Sequence, residues 1–408
     1  MILKRFETYY VGAICLLIAT IILLPKFVVL GIVLLGIVVI VGITKKLLVF
    51  KPSFLNLLFI LLYLIYLLYV LYTRDHNLAV KYLEYKLSFI VFPILFSFSS
   101  KSGVNLKTIA FVFVLSTLLL GVLGIFNSAI CYLDTHITTC WMTGFFSFIH
   151  HPSYASVYFS ISILCIWYLK SIRFWSKMIA IILSFIFIAF ILLTLSLAGI
   201  LFLLFMLTYF ALRYVFKRFG KLPALITIIL FPVALLSIIT FEPHIKWEFI
   251  DAKEKAFDYF KNPSDFLKNR KDDYSGSNSR LILWTVTAQG INEYPLGIGT
   301  ANTEEFLNYK LREIGLEELA KQNLNPHNQY LQTWLEVGVF GFLIILAIGI
   351  SSIIEGVKDR NFILIFTSFA LMFNMLFESI LQRQSGIVFF SFALCFLMLY
   401  RKKEVRNM

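Results

Sequence analysis

Apolar runs long enough to cross a bilayer follow one another along nearly all of this 408-residue chain, broken by short polar loops and one long polar segment. A crossing takes roughly 17–25 apolar residues as a helix, because a helix satisfies its own backbone hydrogen bonds in hydrocarbon. Spans are expected at about 9–24, 27–43, 53–72, 87–100, 108–126, 153–170, 178–195, 197–215, 222–240, 331–353, 362–379 and 387–400. Met178 to Val215 is nearly continuous, and Thr194, Ser196, Ala198 and Gly199 mark a tight turn within it. Lys4 and Arg5 precede the first run without a small-residue cleavage site, which reads as an uncleaved span. The expected fold is an all-α polytopic membrane bundle of about twelve spans.

Composition agrees. With 60% hydrophobic and only 14% charged residues, a chain of this length has too little charge to cover a soluble surface. Its net charge of +13 is scattered over short loops, not clustered on one face, so no nucleic-acid partner is expected. Three parts follow: a bundle over 1–240, a polar loop over 241–330, and spans with a tail over 331–408.

Lys and Arg set the orientation. With the N-terminus inside, one side receives Lys4, Arg5, Lys45, Lys46, Lys51, Lys101, Lys107, Lys170, Arg173, Lys177, Arg213, Lys217, Arg218, Lys221, Lys358, Arg360 and the tail Arg401, Lys402, Lys403 and Arg406. The opposite short loops receive Lys26, Arg74, Lys81, Lys86 and Arg383. The long polar segment then lies outside the cytoplasm. Cys15, Cys165 and Cys395 fall in apolar runs, while Cys131 and Cys140 share an outer loop where an oxidising compartment would allow a disulfide. No CxxC or His/Cys cluster points to a metal, and no cofactor motif is present.

Within the long loop, Tyr274 to Asn278 reads as a flexible break, followed by a helix from an N-cap at Ser279 to Asn292. Arg280 and Trp284, four apart, share one face of it. Trp284 is either a stacking surface for a sugar or a belt residue, and Arg280 a bidentate anion ligand or a solvated cation. Tyr294 to Gly299 forms a turn, and Asn302 with Glu305 has capping-box spacing for a second helix whose apolar side is Phe306, Leu307, Leu311 and Ile314. Such a helix would lie on the membrane or on the bundle.

Asn325 and Pro326 suit the N-cap and first position of the tenth span, which puts His327 in its first turn, with Asn328 beside it. The positive helix end disfavours imidazolium and keeps a neutral proton acceptor available. The bland alternative is a polar interfacial residue. In the eleventh span Asn374, Glu378 and Gln382 recur at i, i+4 and i+8 as a polar stripe, with Arg383 at the outer end. An ionisable residue at that depth is either functional or paired, here Glu378 with Arg383 or Lys86. Glu336, nine residues past His327, faces the other side of its helix and is expected to bond within the bundle. His150 and His151 point to different sides, form a poor metal pair, and read as a polar mouth to the cavity.

The region from Arg280 to Gly341 resembles the signature of the O-antigen ligase and polymerase family. The matching pieces, in order, are Arg280-Leu-Ile-Leu-Trp284, Tyr294-Pro-Leu-Gly-Ile-Gly299, Pro326-His-Asn-Gln-Tyr-Leu331 and Glu336-Val-Gly-Val-Phe-Gly341. The resemblance implies a GT-C-like, metal-independent membrane glycosyltransferase of the bacterial inner membrane, its active site facing the periplasm and needing no cofactor. It implies transfer of a glycan from undecaprenyl-pyrophosphate to a lipid A core sugar (ligase), a growing glycan (polymerase) or a protein hydroxyl. The family's catalytic histidine falls on His327 and its loop arginine on Arg280, with Arg383, Glu378, Trp284, Asn328 and Lys86 as candidate substrate-binding groups. Many members carry a Ser-Arg pair after a mid-chain span, where this chain has Ser196 and Leu197. Either another cation, Arg383 or Lys86, then supplies the missing charge, or the donor site differs. A lipid-linked glycan transporter and a purely structural membrane protein are the rival classes. The transporter predicts broken midplane helices and an internal repeat, and neither stands out in the sequence.

Overall fold

The computed structural model describes residues 2–100, 105–239 and 276–399, with single residues and pairs between 250 and 265. Of the described residues, 81% are helical. Among the described residues, seven helices are long and apolar enough to cross a membrane: Leu3–Leu23, Pro25–Thr44, Phe54–Tyr72, Leu106–Thr135, Pro152–Ser171, Leu197–Phe219 and Gln329–Asp359. Lys177–Leu193, Phe362–Asn374 and Gln384–Leu399 are apolar but shorter. Lys221–Ile239 covers the expected ninth span. The chain is a polytopic helical membrane protein.

The helices begin where short polar side chains accept otherwise unbonded N–H groups. Ser53 accepts from Asn56 N, Asp75 from Leu78 N, Ser176 from Ile179 N, Ser196 from Gly199 N and Asn361 from Leu364 N. The expected turn near Thr194 to Gly199 is present, with Leu195 at φ 46° between two helices. Small residues let the helices approach. Thr117 and Ser162 share a 2.6 Å hydrogen bond between neighbouring spans, and aromatic rings such as Phe59, Phe89 and Phe390 fill the interior.

Several expectations need correction. The fourth span, 87–100, is not one helix: His76–Lys86 and Ser88–Leu95 lead into a strand, Phe98–Ser100, that pairs antiparallel with Leu48–Phe50. Pro93 sits in the last turn of that short helix, where it can donate no N–H to the carbonyl of Phe89 in the turn before it. The all-α expectation therefore misses one small β-pair. The eleventh span stops at Asn374, so Asn374, Glu378 and Gln382 do not form a helical stripe, and a turn carries Glu378. The tenth helix runs Gln329–Asp359 with a break at Val337 and Gly338.

The described part of the polar segment has its own small core. Gly276–Glu293 starts three residues before the expected cap at Ser279, and packs with Thr303–Glu313 and Glu317–Ala320. Leu281, Ile282, Leu283, Val286, Leu307, Leu311 and Leu319 are buried together there. The second helix thus lies chiefly on its own neighbours, with contacts to the tenth helix. The capping box does not form: Asn302 donates to Ile298 O and Tyr72 O, and Glu305 pairs with Arg74. The expected break at Tyr274 and Ser275 and the basic tail 401–408 lie outside the described residues.

Candidate active site

His327 does not occupy the first helical turn. The helix begins at Gln329, with Asn328 as its N-cap accepting from Tyr330 N and Leu331 N. His327 precedes it with φ 48°, and its N–H donates to Asn325 Oδ1 at 2.8 Å. The cap comes three residues later than expected because Asn328 reaches two N–H groups at once, whereas Asn325 holds the turn. The imidazole is thus placed by a strained turn beside a helix start. Trp284 fixes that turn from the other side by donating Nε1–H to Pro326 O at 2.8 Å.

Glu378 meets this imidazole. His327 Nδ1 lies 3.2 Å from Oε1 and 3.4 Å from Oε2 of a carboxylate that is 5% exposed. Burial pushes the Glu378 carboxyl up. The His327 hydrogen bond, together with Arg280 and with the charge that His151 and His327 carry once protonated in acid, outweighs it and holds the carboxyl below its ordinary value. An ionised carboxylate only accepts hydrogen bonds, so the tautomer of His327 that pairs with Glu378 carries its proton on Nδ1 and keeps a lone pair on Nε2.

A second imidazole faces the same carboxylate. His151 Nε2 is 3.7 Å from Glu378 Oε2. Its Nδ1 accepts from Ser153 N at 3.4 Å as the N-cap of Pro152–Ser171, so the neutral ring carries its proton on Nε2. Burial lowers the His151 pKa, and Arg383, Arg280 and His327 lower it further against the opposing pull of Glu378. His150 turns the other way, its Nε2 2.8 Å from Ile22 O and its ring edge-on to Tyr158. The adjacent pair points to different sides as expected, but His150 is buried on the backbone of Ile22 and does not line a polar mouth. His151 is the group that sequence reasoning left among general cavity-lining residues. Its signal was the pairing of an N-cap position with an outer loop.

The remaining candidates divide. Arg280, half-buried, and Arg383, exposed, lie in the electrostatic surroundings of His151, and Arg280 also in those of Glu378. The ion-pair partners of Glu378 among the described residues are the two histidines rather than Arg383 or Lys86. Asn328 spends its side-chain oxygen on the helix start. Lys86 stands apart: fully buried, its Nζ is 4.5 Å from the centroid of Tyr66 and 5.1 Å from that of Tyr82, near Glu336. Leu197 begins a helix whose Ser196 Oγ reaches Ser153 Oγ at 3.4 Å, next to the helix that His151 caps.

Glu336 bonds within the bundle as expected. It accepts from Ala301 N at 2.9 Å and from Gln382 Nε2 at 3.2 Å. Gly338, at φ 72°, breaks the tenth helix there, and the turn from Leu296 to Gly299 fills the gap: Ile298 N donates to Leu335 O and Gly299 N to Glu336 O. A Cβ at Gly338 would stand 2.4 Å from Leu296 O, so both the conformation and the close approach require glycine. Glu336 thus ties together the Gly-Ile-Gly turn, the helix that starts beside His327, and the segment that carries Glu378.

Residues 182–346 match the family model described as O-antigen ligase. An uncharacterized protein of Haemophilus influenzae is 27% identical over 154 residues, 36% of this chain and 36% of that protein. The match therefore spans a little over a third of the length of that curated relative. The matched family region includes Arg280, Trp284, the Pro295 to Gly299 turn, His327 and the Glu336 to Gly341 break.

Proposed function

From a chain that carries an O-antigen ligase domain over residues 182–346, we propose a glycosyltransferase that moves a glycan from undecaprenyl-pyrophosphate to an acceptor hydroxyl on the extracytoplasmic face. The observation that carries this reading is the His327–Glu378 contact at 3.2 Å. A base needs a lone pair on the substrate side and a partner for the positive charge it acquires. Glu378 supplies that partner at Nδ1. Nε2 then takes the proton of the acceptor hydroxyl as its oxygen attacks the anomeric carbon.

The bond from that carbon to the pyrophosphate breaks with its electron pair going to the leaving group, which inverts the centre. The pyrophosphate develops charge as it leaves. Arg280 and Arg383 are cations suited to it, and a neutral His151 adds an Nε2–H donor beside the place where the family's arginine is expected. Lys86, being fully buried away from this cluster, has a supporting role.

Orientation rests on two independent supports. The loops and span ends expected outside are those that hold His151, Leu197, Arg280, His327 and Glu378, and on the same side Cys131, near the end of the Leu106–Thr135 helix, is disulfide-bonded to Cys140 just after it, as an oxidising compartment allows. The acceptor is read as a lipid A core sugar. A growing glycan would make the chain a polymerase.

The test is complementation of a deletion strain with His327→Ala at unchanged expression, read on a glycan gel. Loss of long chains is expected, and normal surface glycan overturns the proposal. In the deletion itself, bare core indicates a ligase, and a single remaining repeat a polymerase.

A further inference from the structure

A second concave site lies away from the histidines. A cavity of about 570 Å³ opens between the Glu293 end of the first loop helix, the Thr303–Glu313 helix and the turn at Tyr72 and Arg74, a size typical of small-molecule sites. Its walls are aromatic. Tyr72, Tyr294 and Tyr309 are 67%, 49% and 59% exposed, and Phe306 meets Tyr294 edge-on with centroids 6.0 Å apart. Rings this exposed leave part of their flat apolar faces open to the groove.

The charges of this groove are already matched to one another. Lys310 pairs with Glu293 at 3.1 Å and Glu313 at 3.4 Å, and Arg74 with Glu305 at 3.4 Å. These two cations and three carboxylates leave a net of one negative charge, so the groove does not favour a pyrophosphate or another polyanion. The floor is polar: Asn302 lies across the backbone of Ile298 and Tyr72. Acyl chains would strip water from the partly exposed ion pairs of Arg74 and Lys310. Neutral sugars meet both demands, since a pyranose lays its C–H face on an aromatic ring and turns its hydroxyls toward carboxylate and amide groups.

We propose that this groove binds a stretch of neutral glycan, holding the sugar chain whose end reacts at His327. The proposal rests on the glycosyltransferase reading above. Arg280 and Glu293 are at opposite ends of one helix, about 20 Å apart at its rise per residue, so the groove engages sugars remote from the reacting bond. Its floor is fixed to the catalytic side: Ile298 N and Gly299 N donate to Leu335 O and Glu336 O of the helix that begins beside His327. Binding energy from remote sugars would thereby position the reacting one.

The experiment uses the full chain in detergent and two lipid-free probes, titrated calorimetrically. One is the oligosaccharide released by mild acid from the lipid carrier of a strain lacking this gene, the other the core oligosaccharide freed of lipid. Binding of the first assigns the groove to donor glycan, and of the second to acceptor. Either supports the proposal if Tyr294→Ala with Tyr309→Ala weakens it about tenfold at an unchanged unfolding temperature while Tyr309→Trp retains it.

Equal binding by the double variant overturns the proposal. So does the absence of binding by either probe at millimolar concentration, the result expected of a surface for a protein partner. Because these titrations need no turnover, they stand apart from the His327→Ala test. Glycan transfer surviving that substitution removes the reaction reading and leaves the binding result intact.

Discussion

His327 and Glu378, 51 residues apart in sequence, meet at 3.2 Å between Nδ1 and a carboxylate oxygen. One comes from the turn before the tenth helix and the other from the turn after the Phe362–Asn374 helix. The pairing fixes the tautomer and gives the ring a partner as it becomes positive. Glu378→Gln keeps the shape but removes the charge, and its amide can donate to Nδ1 and select the wrong tautomer. The proposed base predicts a fall in kcat on the order of 100-fold with little change in KM for the lipid-linked donor. Steady-state transfer assays check it. An unchanged kcat would show that the carboxylate only supports the fold.

Glu378 and His151 give stability a pH dependence of one sign. The folded pKa of His151 is lowered, so the unfolded chain binds more protons there, and stability falls as pH drops below about 6.5, the ordinary histidine value. Glu378 has a lowered folded pKa as well. Its contribution is present above about 4.3, the ordinary glutamate value, and is lost as pH falls through the lower folded value. Unfolding temperature should therefore decline in two stages on acidification. His151→Gln should flatten the upper stage and Glu378→Gln the lower one, in thermal scans across pH.

Glu336 is predicted to matter more for structure than for the chemical step. Glu336→Ala leaves the Ala301 N–H and the Gln382 amide without their buried acceptor, and Lys86 without its nearby counter-charge. A loss of about 3 kcal/mol is expected. Adding Lys86→Met should recover part of it, because the buried ammonium then no longer needs compensation. Denaturation of the purified single and double variants decides this. Additive losses would show that the two residues are not coupled.

Cys131 and Cys140 supply a test of orientation. Both should resist a membrane-impermeant maleimide on intact spheroplasts and react after mild reduction from outside, since they are bonded to each other on the face proposed to lie outside. Labelling that needs permeabilised membranes would invert the topology. The glycan chemistry proposed for the same face would then have to be abandoned.

The sequence by itself determined the membrane-helical class, because hydrocarbon leaves a long apolar run no other way to satisfy its backbone. It also pointed to Glu378 as an ionisable group where polarity is costly, and to Arg280 and His327 through the motifs that contain them. The later helix break at Gly338 was legible as a glycine-containing motif, though not as the notch into which Leu296 to Gly299 fits. Only the tertiary structure decided which polar groups meet. Helical spacing placed Glu378 on a stripe with Asn374 and Gln382, but the helix ends at Asn374, and the turn beyond it delivers Glu378 to two imidazoles. Lys86 and Arg383 carry the same charge on the same expected side, yet one is fully buried against tyrosines and the other exposed near His151. Local periodicity reports which face of an element is apolar. Which turns converge depends on packing between elements far apart in the chain, and at this site it brings together the turns that hold His151, His327 and Glu378.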